Sequence, residues 1–134
     1  MAKKATYIHA VGRRKQAIAR IRLFKKKGDN LVNDKPIDKY FSGMVSQSLY
    51  LEPLRTCNVL KKYYFTVKVT GSGPVSQLAA VVHGVSRALV KIDEDKNRPL
   101  LKKKGLLTRD PRKKERRKAG TGGKARRKKQ SPKR

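Results

Sequence analysis

The sequence has few of the residue types on which most catalytic and metal sites depend. It contains one cysteine, two histidines and nine acidic residues among 134. A single cysteine, Cys57, excludes an intramolecular disulfide and is typical of a small buried side chain in a reducing compartment. The cysteine and the histidines are too far apart for a zinc site, and the acidic residues cluster only at 93–95, which argues against paired-carboxylate catalysis. We expect no enzymatic activity, no metal and no cofactor.

The sequence also lacks long apolar runs. None approaches the roughly 18 residues that a membrane-spanning helix needs, and the first residues form no apolar segment of signal-peptide length. The basic segments are without the Trp, Phe and Leu side chains of a helix that lies in a membrane interface. We therefore expect a cytoplasmic protein with no membrane partner.

Positive charge is what the sequence has in excess, with 37 Lys and Arg residues and a net charge of +28. Its densest stretch, residues 109–134, has fourteen basic and two acidic residues and no apolar side chain larger than alanine. Ordering a backbone residue costs roughly 1–2 kcal/mol, and this stretch can bury nothing in return. We predict a globular domain at 1–108 and an extended basic tail at 109–134 that a nucleic acid orders. The alternative is a solubilising extension that never orders.

The first part of the globular domain has the pattern of a β-hairpin. Residues 6–11 are β-prone, residues 12–15 form a basic tip, and residues 16–24 alternate between apolar and basic side chains. We expect one basic contact surface for nucleic acid, the alternative being a face that is merely solvated. It comprises Arg13, Arg14, Lys15, Arg20 and Arg22.

The next segment predicts a short strand at 31–32 and two short helices. Asp38 is expected to cap the first helix, and the second, at 44–51, is expected to end before Pro53. The core candidates in this segment are Tyr40, Phe41, Val45, Leu49 and Leu54.

A strand at 63–70 and a long helix that begins at Pro74 form the second half of the domain. The helix has an apolar stripe with spacings of three and four, and is expected to stop at 93–95. The stripe comprises Val75, Leu78, Val82, Val85, Leu89 and Ile92. His83 lies beside it and is interpreted as a packed or hydrogen-bonded helix residue. A short basic helix at 100–104 then leads into the tail. The simplest arrangement is an α+β sandwich in which helices cover one face of a single sheet.

The type of nucleic acid follows in part from absent motifs. There is no zinc-finger, basic-zipper or helix-turn-helix pattern. Extended Arg-rich segments that fold on binding are a common way to thread irregular RNA, because the planar guanidinium both grips phosphate and stacks on bases. RNA is therefore favoured over DNA. The loop at 71–73, Gly-Ser-Gly between a strand and a helix, is either a phosphate contact or a plain turn.

Four ordered blocks of sequence form a recognisable pattern. The blocks are residues 10–20 (AVGRRKQAIAR); 32–33 (VN) with Pro36 and 40–41 (YF); 71–73 (GSG) with 79–80 (AA), 83–84 (HG) and 87–90 (RALV); and 105–110 (GLLTRD) with 114–116 (KER) and the terminal pair Lys133 and Arg134. Together they resemble the universal S-nine protein family of the small ribosomal subunit, in its bacterial form. The chain departs from the family at Ser72, at Val82 and at 130–132, where an aromatic residue and a serine are usual before the terminal pair.

The resemblance implies a two-layer α+β sandwich like the second domain of the fifth small-subunit protein, a βαβ unit with a left-handed crossover. It implies binding to 16S-type rRNA, in the 3′ major domain that forms the subunit head, beside neighbouring head proteins. It also implies that the tail reaches the anticodon stem-loop of the P-site tRNA. The rRNA-binding candidates in the tail are Arg109, Arg112, Lys113, Arg116, Arg117, Lys124, Arg126 and Arg127. The tRNA-binding candidates are Lys128, Lys129, Lys133 and Arg134, of which the last two match the family's terminal pair.

Two other functions stay open at this point. A basic protein subunit of a tRNA-processing ribonucleoprotein can share a similar βαβ fold, and a nucleoid protein that compacts DNA would also be strongly basic. Co-sedimentation with small ribosomal subunits, with small RNA or with DNA separates the three.

Overall fold

The structure, a computed structural model, describes residues 6–120, which form one five-stranded sheet and four helices. The strands are β1 (Ile8–Arg14), β2 (Ala17–Phe24), β3 (Leu31–Val32), β4 (Lys35–Pro36) and β5 (Tyr64–Thr70). The helices are α1 (Ile37–Tyr40), α2 (Met44–Thr56), α3 (Pro74–Ile92) and α4 (Glu94–Lys103). None of these helices has the length and apolar character needed to cross a bilayer.

The sheet has the strand order β1-β2-β5-β3-β4. Neighbouring strands are antiparallel except β3 and β5, which are parallel and are connected through β4, α1 and α2. The period-two pattern of β2 is confirmed, because Ile21 and Leu23 are buried while Arg20 and Arg22 are exposed. Helix α3 packs across β1 and β2, and α2 and α4 pack against α3. The predicted α+β class is confirmed.

Two glycines allow α3 to lie directly on the sheet. A Cβ atom on Gly12 of β1 would overlap the carbonyl oxygen of Ala80 and the backbone nitrogen of Gly84. A Cβ atom on Gly84 would meet the side chain of Ile21. Because helix and strand backbones are in contact here, neither position has room for a side chain.

Strand β3 is only two residues long, and two asparagines extend its pairing with β5. The Asn33 side chain donates to the carbonyl of Val69 at 3.0 Å and accepts from the Val69 amide at 2.9 Å. The Asn30 side chain accepts from the Phe65 amide at 3.1 Å. Asn33 and Asp34 have φ values of 49° and 66°, the left-handed pair that a two-residue hairpin turn requires.

The hairpin tip differs from the prediction. Strand β1 continues to Arg14, which pairs with Ala17, so the turn consists of Lys15 and Gln16 alone. Arg13 and Arg14 therefore belong to the strand and point to opposite faces of the sheet.

Helix α2 was predicted to end at residue 51, which is wrong. The helix continues through Pro53 to Thr56. Its last turn is stabilised by burial of Pro53 and Leu54, and by a 2.8 Å hydrogen bond from the Thr56 hydroxyl to the Glu52 carbonyl. Tertiary packing thus overrides the backbone preference of proline.

Two further predictions about helix starts are wrong. Asp38 lies inside α1 rather than at its cap, and its carboxylate accepts a 2.7 Å hydrogen bond from the Tyr50 hydroxyl. Helix α3 ends at Ile92, as predicted, but Asp93 also caps the start of α4, since its carboxylate accepts from the Lys96 amide at 3.2 Å. Acidic residues favour the first turn of a helix, so residues 93–95 start α4 six residues earlier than predicted.

The core is confirmed in part. Phe41, Leu54, Leu78, Val85 and Leu89 are buried, as is the expected Cys57. Three predicted core residues are exposed instead, at 75% for Val45, 42% for Leu49 and 83% for Val75. The inward face of α2 is formed by Tyr50, Pro53 and Leu54, and this places Val45 and Leu49 on its outer side.

Candidate nucleic-acid interface

The face of the sheet that α3 leaves uncovered carries a group of basic side chains. Arg20 of β2 lies opposite Lys68 of β5, and Arg22 lies opposite Thr66. All three cationic side chains are exposed. Within residues 6–120 none of them pairs with a carboxylate. Their charge is therefore available to an external anion.

Three aromatic rings adjoin these cations. The rings of Phe24 and Tyr64 stack with centroids 4.9 Å apart and an interplanar angle of 11°. The Tyr7 ring lies 5.7 Å from that of Phe24, and the Arg22 guanidinium lies 5.1 Å from the Tyr7 ring centroid. Sequence analysis missed this cluster because its rings come from three separate parts of the chain.

The three basic side chains and the Tyr7 ring line a concavity of about 510 Å³. This volume is within the range of small-molecule sites in proteins. The open-face concavity, as we call it, is lined by Tyr7, His9, Arg20, Arg22, Leu31, Asp34, Thr66, Val67 and Lys68. Asp34 is its one carboxylate.

Arg14 connects the hairpin to the start of the tail. Its guanidinium lies 3.2 Å from the Asp110 carboxylate and donates to the Arg112 carbonyl at 2.8 Å. The Arg14 side chain is 18% exposed. Arg14 was predicted to contact rRNA, and the structure commits its charge to residues 110–112. Arg13 and Lys15 remain exposed beside this junction.

Asp110 stays ionised over a wide pH range. Its carboxylate accepts hydrogen bonds from the Arg112 side chain at 2.8 and 3.0 Å, and from the Arg112 amide at 3.0 Å. These bonds, together with the charges of Arg112 and Arg14, lower the pKa of Asp110 to about 2. The anchor of the tail is therefore a carboxylate held between two guanidinium groups.

His83 forms a second joint between the hairpin and the segment that leads into the tail. Its Nδ1 accepts from the Arg13 amide at 3.4 Å, and its Nε2 lies 3.2 Å from the Leu107 carbonyl. Burial lowers the pKa of His83, and the charges of Arg87 and Arg109 act in the same direction against the raising effect of the Leu107 bond. Because Nδ1 accepts a hydrogen bond and Nε2 faces a carbonyl oxygen, the imidazole is neutral and carries its proton on Nε2. The interpretation of His83 as a hydrogen-bonded helix residue is confirmed.

Helix α3 also covers the free edge of the sheet. His83, Arg87 and Lys91 follow one another at four-residue spacing and face β1, the edge strand. Arg87 donates to the Val11 carbonyl and Lys91 to the His9 carbonyl, each at 2.6 Å. These bonds occupy backbone groups that would otherwise be free to pair with another strand. Sequence analysis assigned Arg87 and Lys91 no role.

The described part of the tail, up to residue 120, has no regular helix or strand. Its predicted rRNA contacts Arg109, Lys113, Arg116 and Arg117 are exposed, and Arg112 is engaged with Asp110. The remaining candidates lie outside the described residues. They are Lys124, Arg126, Arg127, Lys128, Lys129, Lys133 and Arg134.

The loop at 71–73 is a tight turn. Gly71 and Ser72 have φ values of 81° and 57°, and the Gln77 side chain donates to the Gly71 carbonyl at 3.1 Å. A phosphate contact at this loop stays a prediction. Residues 6–120 contain no cluster of three or more His, Cys, Asp or Glu side chains arranged to hold a metal ion.

The sequence is similar to those of known proteins. The sequence model of a family described as ribosomal protein S9/S16 matches residues 12–134. Small ribosomal subunit protein uS9 of Maridesulfovibrio salexigens is 46% identical over 115 residues, covering 86% of this chain and 88% of the relative. The proteins of that name from Dehalococcoides mccartyi strain 195 and Leifsonia xyli are 42% and 44% identical, over 90% and 83% of this chain and 90% and 66% of their own lengths. The resemblance predicted from the sequence is thereby confirmed, and the chain belongs to the ribosomal protein S9/S16 family.

Proposed function

We propose that the protein is a structural constituent of the small ribosomal subunit that binds rRNA and has no catalytic step of its own. The observation that carries this proposal is the row of exposed cations on the open sheet face, Arg20, Arg22 and Lys68, none of which has a carboxylate partner within residues 6–120. The relatives that share its family are named as small ribosomal subunit proteins. The site of action is the ribosome in the cytoplasm.

Binding works through phosphate neutralisation by two connected surfaces. The globular body supplies Arg13 and Lys15 at the hairpin end and the cations of the open face, and the tail supplies its exposed guanidinium and ammonium groups. Each Lys or Arg that contacts a phosphate releases condensed counterions, and this provides affinity without reading sequence. The Arg14 contact with Asp110 fixes where the tail leaves the body, so that both surfaces meet the same RNA.

The family resemblance supports a more detailed assignment. We infer that the body binds the 3′ major domain of 16S-type rRNA in the subunit head, and that the βαβ crossover between β3 and β5 is left-handed, as in the second domain of the fifth small-subunit protein. Lys128, Lys129, Lys133 and Arg134 contact the anticodon stem-loop backbone of the P-site tRNA. Met44, Val45 and Val75 are exposed at 75–85%, and such apolar side chains are suited to contact with a neighbouring head protein.

The rRNA proposal is tested by neutralising the open face in the full chain. Arg20→Gln, Arg22→Gln and Lys68→Gln combined should weaken binding to small-subunit rRNA and reduce the salt slope of log K by roughly 0.9 for each phosphate that is no longer neutralised. The matched control neutralises three exposed lysines at the end of α4, Lys102, Lys103 and Lys104. This control should bind rRNA more tightly than the open-face variant does. Equal reductions of affinity in both variants would mean that the open face is not a specific contact surface.

The tRNA proposal is tested by removing Lys133 and Arg134. Because phosphate contacts do not depend on sequence, affinity for P-site tRNA should fall by the same factor for every tRNA. An unchanged affinity, or a reduction confined to one tRNA, contradicts the assignment. Sedimentation of the native protein with small RNA or DNA instead of small subunits would favour a tRNA-processing or nucleoid function.

A further inference from the structure

The open-face concavity combines groups that bind different parts of a nucleotide. Its lining includes the Tyr7 ring with the Arg22 guanidinium beside it, and Arg20 directly opposite Lys68. A surface that only neutralised a duplex backbone would need the charges alone. The aromatic ring and the enclosed shape call for a ligand that has a planar apolar part as well as a phosphate.

Tyr7 and Arg22 form a preassembled stacking surface. Tyr7 is 43% exposed although its ring is large and mostly apolar, and the Arg22 guanidinium lies 5.1 Å from the ring centroid. Phe24 supports Tyr7 from the neighbouring position and is itself stacked on Tyr64. Unpaired RNA bases stack on aromatic rings and on Arg planes of this kind.

Arg20 and Lys68 are directly opposite on neighbouring strands. Like charges in such a cross-strand pair destabilise a sheet, and no carboxylate within residues 6–120 offsets them by an ion pair. A phosphate bound between the two side chains would remove this repulsion. Asp34, which also lines the concavity, repels a second phosphate. The charge pattern thus suits one phosphate rather than a row of them.

We propose that the open-face concavity binds a single unpaired nucleotide of RNA, with its base stacked on Tyr7 and Arg22 and its phosphate between Arg20 and Lys68. This inference rests on the proposed rRNA-binding function, and it specifies that the open face binds unpaired RNA. An A-form duplex keeps its bases stacked inside and presents a convex backbone, so it cannot fill a concavity that an extruded or single-stranded nucleotide fills.

The test uses the full-length protein with two RNA probes of equal phosphate number, a single-stranded hexamer and a blunt duplex. Tyr7→Leu should weaken hexamer binding about 5- to 150-fold, the usual effect of removing one stacked base, with an unchanged salt slope and unchanged duplex binding. Tyr7→Phe, which keeps the ring, should bind the hexamer with nearly the wild-type affinity. Lys68→Gln should weaken hexamer binding and reduce its salt slope by about 0.7.

Three results would overturn the inference. If Tyr7→Leu weakens hexamer binding and duplex binding equally, no base is stacked on Tyr7. The same conclusion follows if Tyr7→Leu changes neither affinity. The third result concerns competition by inorganic polyphosphate at equal charge. If polyphosphate displaces the hexamer as readily from the wild type as from Tyr7→Leu, the site binds anions by charge alone. In each case the rRNA proposal stands if the triple open-face variant still has weakened rRNA binding. It fails separately if the wild-type chain does not enter small subunits, whatever the hexamer shows.

Discussion

Arg14 and Asp110 are joined by a 3.2 Å ion pair between the last residue of β1 and the second residue of the basic tail. The contact spans 96 positions of sequence. It gives the tail a defined starting point on the hairpin, beside the exposed Arg13 and Lys15. The body of the protein therefore sets the direction of a segment that has no large apolar side chains with which to pack.

Removal of the Arg14 anchor should release the start of the tail without unfolding the body. Because the pair is partly exposed, Arg14→Gln should cost no more than about 1 kcal/mol of stability. Amide exchange at Asp110 and Arg112 should nevertheless rise several-fold, and adding Asp110→Asn should increase it little further. Arg98→Gln, which breaks the exposed pair with Glu94, is the control and should leave the tail unchanged. Unchanged exchange in Arg14→Gln would contradict the anchoring role.

The anchor should survive mild acid. Hydrogen bonds from Arg112 lower the folded-state pKa of Asp110 to about 2, below its ordinary value of 3.8. A lowered pKa stabilises the ordered state fully above the ordinary value, and this contribution disappears as the pH falls toward the folded value. Carboxyl chemical shifts should therefore report an ionised Asp110 at about pH 3, and Arg112→Gln should move its titration upward. A midpoint near the ordinary value in the wild type would rule out the anchored carboxylate.

The contact between Gly12 and Gly84 should tolerate no methyl group. Gly12→Ala places a Cβ atom against backbone atoms of α3, which cannot move aside, and should destabilise the protein by at least about 2 kcal/mol in urea unfolding. Gly73→Ala is the matched control, because nothing lies within 4 Å of its added Cβ atom, and its cost should stay within about 1 kcal/mol. Gly84→Ala and Ile21→Ala should cost less together than the sum of their separate effects, since the two side chains collide. Similar costs for Gly12→Ala and Gly73→Ala would argue against the close approach.

Asn33 should stabilise the protein both by its turn conformation and by its side-chain bonds. Asn33→Gly allows the positive φ and removes the side-chain bonds, two to Val69 and a longer one of 3.4 Å to the Tyr40 hydroxyl, so the expected destabilisation is about 1–3 kcal/mol. Asn33→Ala removes the same bonds and leaves at positive φ a residue that tolerates this conformation less well than asparagine or glycine, so it should cost roughly 1 kcal/mol more than Asn33→Gly. Thermal unfolding of the two variants separates the contributions. A glycine variant as stable as the wild type would show that the Val69 bonds add nothing.

The α3 side chains on β1 should prevent edge-to-edge association. Arg87→Ala with Lys91→Ala removes the donors to the Val11 and His9 carbonyls and exposes an unpaired strand edge. We expect concentration-dependent self-association in sedimentation runs at high salt, where repulsion between the basic chains is screened. Arg98→Ala with Lys102→Ala removes the same charge from α4 and should stay dispersed. If both variants associate equally, reduced net charge is the cause.

Much of the fold could be predicted because the information is local. The alternation in β2, the apolar stripe of α3 and the absence of anything to bury in the tail each follow from neighbouring residues. The blocks that identify the family are local as well. Errors arose where packing overrides a local preference: α2 continues through the buried Pro53, and Val45 and Leu49 lie on the outer side of that helix.

The sequence by itself determined a basic α+β domain followed by a basic tail, because charge density, periodicity and motif order are properties of the chain as written. Only the tertiary structure decided which charges are free. Arg14 pairs with Asp110, and Arg87 and Lys91 donate to the edge of β1. Within residues 6–120, the cations near Tyr7 have no carboxylate partner; these are Arg20, Arg22 and Lys68. The physical reason is that ion pairs, edge contacts and ring stacks depend on distances between residues far apart in the chain, and the pairing register of the strands together with the close seating of α3 on β1 sets those distances.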